Sequence, residues 1–206
     1  MIRFTLPVLA ALFLSIPATA QSDKPVNFVY AEISTQKTVL PFYARRLGQT
    51  DVLLSGGTFS NFSDREYYYR EYYAGIGFDF GNEKIGLWPF ILYSSTSDGD
   101  YLQLWAFPYF ENDQIWTSVF LGGYIPIGVK NEPQVFMIPA RIYRPLTRWL
   151  GAGMAYRFYK VHSSNGEHSL GPSIKLRTDI GNFQIDFLKG LENTNSRIAL
   201  SYFFMF

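Results

Sequence analysis

Cysteine is absent from the 206-residue chain, and so is any strong excess of charge, because 18 Lys and Arg oppose 17 Asp and Glu for a net charge of +1. Without cysteine there is no disulfide framework and no thiolate zinc site, and we expect neither a metal nor a required cofactor. A nearly neutral chain lacks the basic surface of a nucleic-acid binder, so nucleic acid is excluded as a partner.

Long apolar runs are missing beyond the N-terminus. One charge at Arg3 precedes an apolar run over residues 4–17, and the small-x-small sequence Ala18-Thr19-Ala20 follows it. This pattern predicts a secretory signal peptide over residues 1–20, because the run is too short to span a bilayer as a helix. No later stretch has 18 uncharged apolar residues, so the sequence predicts no membrane-spanning helix.

Aromatic residues, by contrast, make up 18% of the chain, and they recur at alternate positions. At the C-terminus Ile198, Leu200, Tyr202, Phe204 and Phe206 share one parity. Successive side chains of a strand point to opposite faces, so this segment presents one apolar face about ten residues long. A tilted strand of that length crosses an outer membrane.

The same alternation recurs upstream, with small, amide or charged residues at the intervening positions. It covers Tyr72–Phe80, Phe136–Ile142, Leu150–Phe158, Ile174–Leu176 and Phe183–Phe187. In each range the first and last residues belong to the apolar face. Short turns alternate with longer or more polar connections, as in outer-membrane barrels. The pattern therefore predicts an all-β fold, an antiparallel up-and-down transmembrane β-barrel.

The sequence leaves two strand numbers open. About ten strands can be placed from Asp51 onward, which makes residues 51–206 the barrel. Residues 21–50 contain two apolar stretches, Phe28–Ile33 and Val39–Ala44, which form either two extra strands or an N-terminal arm. Only even numbers return the chain to its starting side, so ten and twelve are the candidates, and we favour ten.

The closing run Leu200-Ser201-Tyr202-Phe203-Phe204-Met205-Phe206 resembles the C-terminal insertion signal of bacterial outer-membrane proteins. That resemblance, carried by Leu200, Tyr202, Phe204 and Phe206, implies a location in the outer membrane of a Gram-negative bacterium. It also implies contact with outer-membrane lipids, lipopolysaccharide and the outer-membrane assembly machinery, and we expect a monomer. A soluble periplasmic sandwich or a lipocalin-like barrel is the alternative.

Charged residues on the opposite parity are predicted to line the lumen. They are Glu71, Asp79, Arg141, Arg157, Lys175, Arg177, Asp186 and Arg197, with Asp179 and Gln184 beside them. In a narrow barrel such residues form ion pairs that fill the interior and lock the register. The second interpretation is a small polar conduit that favours anions. Bulky residues on parity-ambiguous strands, among them Trp88 and Trp105, would obstruct that conduit.

Aromatic residues near the strand ends predict girdles at the two membrane surfaces. Tyr67–Tyr73 is placed at one surface, where Arg70 could pair a lipopolysaccharide phosphate. Trp116 and Trp149 are predicted to belong to the opposite girdle.

One loop carries residues with catalytic chemistry. The stretch His162-x-Ser164-Asn165 is similar to a motif of outer-membrane lipid A deacylases. The resemblance implies His162 as base, Ser164 as nucleophile, Asn165 as oxyanion donor and Glu167 as orienter. A solvated loop is the alternative. We therefore expect a non-enzymatic barrel with a structural, surface-interaction or narrow-pore role, and a lipid A-modifying hydrolase as the alternative.

Overall fold

The computed structural model describes residues 27–62, 69–82, 84–97, 99–128, 132–191 and 194–206, so the predicted signal peptide lies outside the described residues. Thirteen strands occur in this part of the chain. They are β1 (Asn27–Ser34), β2 (Thr38–Arg46), β3 (Val52–Asn61), β4 (Tyr69–Phe78), β5 (Phe80–Gly81), β6 (Ile85–Thr96), β7 (Asp100–Glu111), β8 (Trp116–Ile127), β9 (Gln134–Pro145), β10 (Leu150–Val161), β11 (Glu167–Thr178), β12 (Gly181–Leu191) and β13 (Arg197–Met205).

The strands form one antiparallel sheet that closes on itself. Each long strand pairs with its neighbours in sequence, and β1 pairs with β13 from Phe28 opposite Met205 to Ser34 opposite Ala199. The two-residue β5 follows β4 after Asp79, and both pair with β6. The predicted fold class, an all-β antiparallel closed barrel, is confirmed. No helix in the described part of the chain is long and apolar enough to cross a membrane.

The preference for ten strands is wrong, because the barrel wall contains twelve long strands and begins at Asn27 rather than at Asp51. The difference comes from β1 and β2, which lie in the segment that the sequence left open. Without them β3 and β13 would each expose an unpaired edge, which is costly for a barrel in lipid. In this structure β1 and β2 pair with both of these edges and close the ring.

Side chains alternate between an apolar outer face and a mixed inner face. Outward residues such as Ile91 and Leu104 are 47% and 45% exposed, whereas inward residues such as Gln103 and Asp186 are fully buried. This arrangement is the reverse of a water-soluble protein. The residues of the C-terminal signal, Leu200, Tyr202, Phe204 and Phe206, lie on the outer face of β13.

In β9 the alternation changes phase. The pairing of β9 with β8 and with β10 shifts register near Ile138-Pro139, which is the signature of a β-bulge. As a result Ile142 points outward but Phe136, predicted to share its face, is buried inside. The expectation for Phe136 is wrong because an extra residue reverses the parity of every position before it.

The two ends of the barrel differ in their connections. We call the end where β1 begins and β13 ends the terminal end, and the opposite one the loop end. Connections span two to five residues at the terminal end and three to seven at the loop end. Trp149 is exposed at the terminal end, whereas Trp116 is buried in the lumen, so its predicted girdle position is wrong.

Candidate functional site

Aromatic rings fill one side of the lumen. We call this group the aromatic wall; it consists of Phe42, Tyr73, Phe90, Trp105, Phe107, Phe120 and Phe136 from β2, β4 and β6 to β9. Phe107 and Phe120 stack at 4.2 Å between ring centroids, and Trp105 meets Tyr73 at 4.8 Å and Phe120 at 4.9 Å. These are the offset and edge-to-face geometries that aromatic pairs prefer.

Inward glycines make room for these rings. A Cβ atom at Gly77 would lie 2.2 Å from the Phe90 ring, and one at Gly122 would lie 2.7 Å from Phe136 and 2.9 Å from Trp105. Such contacts are shorter than any side chain tolerates. Glycine on one strand thus allows a large ring from the next strand to lie flat against the wall.

Charged side chains fill the other side. We call the group Glu32, Arg141, Arg157 and Asp186 the ion layer; its members come from β1, β9, β10 and β12. Arg141 donates to Asp186 through Nη2 at 2.7 Å and through Nε at 3.1 Å, and Arg157 donates to Glu32. All four side chains are buried. Two cations therefore balance two anions in a desolvated layer.

Hydroxyl groups complete the ion layer. Ser201 accepts a hydrogen bond from Arg141 at 2.7 Å and donates to Glu32 at 3.1 Å. Tyr30 donates to Glu32 at 2.8 Å, and Ser173 donates to Asp186. Buried carboxylates and guanidinium groups persist only when their hydrogen-bonding groups find partners. The hydroxyls supply partners for Glu32, Arg141 and Asp186 and join the two ion pairs into one network, whereas the buried Nε of Arg157 has no hydrogen-bond partner among the residues that the structure describes.

Further charged contacts lie inside the barrel near its two ends. At the terminal end Glu111 accepts from Lys175 and Arg177, and the Arg177 guanidinium lies 3.6 Å from the centre of the Trp116 ring. At the same end Asp79 accepts from Arg46 and, at 2.7 Å, from Trp88 Nε1.

At the loop end the Glu71 carboxylate accepts from Gln103 and, at 3.3 Å, from Tyr124.

The residues predicted to line the lumen occupy inward positions. Glu71, Asp79, Arg141, Arg157, Lys175 and Asp186 are buried there, Arg177 is partly exposed at the terminal end, and Arg197 is half-buried at the start of β13. Asp179 is instead exposed in the turn after β11, so its predicted inward position is wrong.

Sequence reasoning missed Glu32, Arg46 and Glu111, which are the partners of several predicted residues. Glu32 follows Phe28 and Tyr30 on one parity, and this alternation was the available signal.

A cavity of about 160 Å³ lies between the aromatic wall and the ion layer and extends toward the terminal end. Its lining includes Tyr30, Phe42, Phe107, Phe120, Arg141 and Lys175. A cavity of roughly 150 Å³ accommodates one benzene-sized molecule. Farther toward the loop end, Trp105 and Arg157 are 3% and 5% exposed, so water has little access to this level of the lumen.

Three of the predicted catalytic residues, His162, Ser164 and Asn165, lie in the exposed loop between β10 and β11, and Glu167 begins β11. The Ser164 hydroxyl donates to the carbonyl of Val161 at 3.1 Å, and no hydrogen bond between His162 and Ser164 occurs. The backbone N–H of Ser163 donates to the carboxylate of Glu132 in the preceding loop. Hydrogen bonds from Ser163 lower the pKa of the Glu132 carboxyl, and the nearby His162 lowers it to a smaller extent. Asn165 and Glu167 are exposed. The geometry does not bring the four predicted residues together as a base, nucleophile and orienter.

The second histidine has a different environment. His168 lies on the outer face of β11, where its Nδ1 is 2.7 Å from the hydroxyl of Tyr156 and its ring is 5.0 Å from Phe158. No group of three or more His, Asp or Glu side chains in the described ranges is arranged to hold a metal ion.

Comparison with known proteins gives a likeness of fold. No family model and no curated protein matches the sequence. Among solved structures, the KdgM porin has a TM-score of 0.57 at 8% identity, covering 87% of this chain and 98% of its own. The NanC porin has a TM-score of 0.53 at 7% identity, covering 86% and 97%. The outer-membrane protein Omp33 of Acinetobacter baumannii has a TM-score of 0.51 at 14% identity, covering 90% and 100%.

These solved structures define a class, the porin-like β-barrels of outer membranes, and the described chain shares their fold. At such low identity the likeness concerns the fold alone.

Proposed function

We propose that the protein is an integral outer-membrane β-barrel that is non-enzymatic, acts through its surfaces and its structure, and has a lumen closed to solutes at mid-height. The observation that carries this proposal is the contrast between the outer and the inner face of the barrel wall. Leucine, isoleucine and aromatic side chains cover the outside, whereas the aromatic wall and the ion layer fill the inside. A closed sheet with an apolar exterior satisfies all of its backbone groups in lipid.

The sequence supports the location. A signal peptide over residues 1–20 and the C-terminal insertion signal are typical of proteins exported to the outer membrane. We propose that the assembly machinery inserts the chain as a monomer with its loop end toward the cell exterior, since longer connections face outward in such barrels. Its immediate partners are then outer-membrane lipids and lipopolysaccharide.

A narrow pore is the second candidate function. It is favoured by the cavity of about 160 Å³ beside Arg141 and Lys175, and by the likeness to porins. Against it stands the ion layer, in which each arginine is already neutralised by a carboxylate. An anion would have to displace Asp186 or Glu32 to pass.

Planar-bilayer recordings separate these candidates. We expect the wild-type barrel to show no conductance steps and the double variant Trp105→Ala with Phe120→Ala to show them, because removal of two rings opens the wall. The matched control, Ile91→Ala with Leu104→Ala, changes only the outer face. Wild-type steps that disappear or change selectivity in Arg157→Ala would refute the closed lumen and establish the pore.

Heat-modifiable migration on a gel and fractionation test the membrane part of the proposal. A folded outer-membrane barrel migrates differently before and after boiling and sediments with the outer membrane. Recovery of the processed chain as a soluble periplasmic protein would contradict it.

A further inference from the structure

The outer face of β9 to β13 carries a group of cationic side chains near the loop end. Outward positions of β9 to β13 hold no acidic residue in the part of the chain that the structure describes. Their cationic or titratable members are Arg144 at the terminal end and Lys160, His168 and Lys189 at the loop end. We call the latter three the rim cluster.

Strand pairing places the members of the rim cluster on neighbouring strands. Phe158 of β10 lies opposite His168 of β11, and Lys160 is the next outward residue along β10. Leu170 of β11 lies opposite Lys189 of β12. His168 is thus a diagonal neighbour of both lysines, at about 7–8 Å on the same face. Lysine side chains are long enough to converge on a ligand beside the histidine.

Neither lysine is neutralised within the described residues. Lys160 and Lys189 are exposed, and the ion pairs of this part of the chain involve other cations. Glu167, the nearest carboxylate in sequence, takes the inward parity of β11, and Glu132 accepts from Ser163. Among the described residues neither lysine forms an ion pair, so the outer surface at this place carries positive charge.

His168 is held in a fixed orientation with one nitrogen available. When the Tyr156 hydroxyl donates to Nδ1, the neutral ring carries its hydrogen on Nε2. A Cβ atom at residue 166 would lie 3.2 Å from Nε2, so the absence of a side chain at Gly166 leaves space beside this nitrogen. An N–H donor between two ammonium groups suits the oxygens of a phosphate.

Apolar side chains lie beside and below the rim cluster. Tyr156 and Leu170 are level with Lys189 and one outward position farther from the loop end than His168, and Phe187 is one outward position beyond Lys189. Cations above aromatic and aliphatic side chains match a molecule with an anionic headgroup and hydrocarbon chains.

We infer that the rim cluster of Lys160, His168 and Lys189 binds the phosphorylated headgroup of a membrane lipid, that of lipid A in the outer leaflet, with its acyl chains against Tyr156, Leu170 and Phe187. This inference rests on the proposed function, because it needs the barrel to be embedded in that leaflet. Arg70, the cation that the sequence analysis considered for lipopolysaccharide, stands on β4 instead and donates to Tyr72 at 2.9 Å.

Native mass spectrometry of the purified full barrel in detergent tests the inference. The probes are bis-phosphorylated lipid A and the same lipid with both phosphates removed. We expect the wild type to bind the phosphorylated form on the order of tenfold more tightly, since each ammonium near an anionic headgroup contributes severalfold. Lys160→Ala with Lys189→Ala should remove this preference, and His168→Ala should reduce it.

The matched control is Arg144→Ala with Arg148→Ala, which removes two exposed cations from the terminal end. Its binding should equal that of the wild type. Equal wild-type affinity for the two lipids, or equal loss in the control and the rim variant, would overturn the inference. If either outcome is obtained with a barrel that still shows heat-modifiable migration, only the inference about lipid binding fails and the proposed function is unaffected. Absence of heat-modifiable migration in the wild type would refute the proposed function itself.

Discussion

The aromatic wall and the ion layer occupy the same lumen, and different interactions stabilise them. The wall depends on buried apolar area and on close contact between rings, and no ring depends on a single partner for its stability. The ion layer depends on partners, since a buried charge is stable only while its counterion and hydrogen bonds are present. We therefore expect the wall to contribute stability and the layer to fix which strands lie side by side.

Loss of one carboxylate from the ion layer should have the largest effect. Asp186→Ala removes the main counterion of the buried Arg141 guanidinium and leaves only the more distant Glu32 at 3.9 Å, and we expect it to lower the free energy of unfolding by about 3–5 kcal/mol. Urea unfolding in lipid vesicles, followed by heat-modifiable migration, measures this. Asp113→Ala in an exposed turn is the control and should stay within about 0.5 kcal/mol of the wild type. Equal losses in the two variants would contradict the importance of the layer.

Loss of one ring from the aromatic wall should cost somewhat less. Trp105→Ala removes the contacts with Tyr73 and Phe120, and we expect a loss of about 3 kcal/mol, because water or neighbouring rings can partly fill the space. The same unfolding assay compares it with Leu104→Ala, whose side chain faces outward. A larger loss in Leu104→Ala would indicate that lipid contacts outweigh the wall.

Replacement of both partners of the ion pair should have a smaller effect than removal of one. We expect the free energy of unfolding of the double variant Arg141→Met with Asp186→Leu to lie within about 1 kcal/mol of the wild-type value, because apolar side chains of similar volume avoid the cost of desolvating the charges. If the layer fixes register, the double variant should refold more slowly or to more than one gel species. A loss as large as that of Asp186→Ala alone would mean that the pair is itself stabilising.

The smallest effect is expected at the loop outside both regions. Ser164→Ala removes an exposed hydroxyl whose hydrogen bonds are to the backbone carbonyl and N–H of Val161, so we expect the free energy of unfolding to change by less than about 0.5 kcal/mol. Mass spectra of lipopolysaccharide incubated with wild type and variant should be identical to those without protein. Release of fatty acid by the wild type but not by the variant would establish the deacylase alternative instead.

Regular alternation made part of this molecule predictable. In β10, β12 and β13 most of the large apolar residues keep one parity, so the outward position of Met154 and the inward positions of Arg157 and Asp186 follow from the sequence. Phe136 and Trp116 could not be placed in this way. A bulge reverses the parity of the first, and the second packs inside against Arg177 rather than at the membrane surface.

Contacts between distant residues were beyond the sequence pattern. Glu32 and Arg157 are 125 positions apart, and Arg141 and Ser201 are 60 apart. Periodicity gives the face on which a side chain lies, but it does not give the neighbour across the lumen. The rim cluster is of the same kind, since Lys160, His168 and Lys189 become neighbours through the register of three strands.

The sequence alone determined that strands would form and that their apolar face would point away from the interior, because the alternation of apolar and polar residues is a property of each strand. The number of strands and the partners inside the lumen were decided only when β1 met β13. The physical reason is that closure and charge pairing are properties of the whole ring, and a segment has no edge to close or counterion to meet until the others are in place.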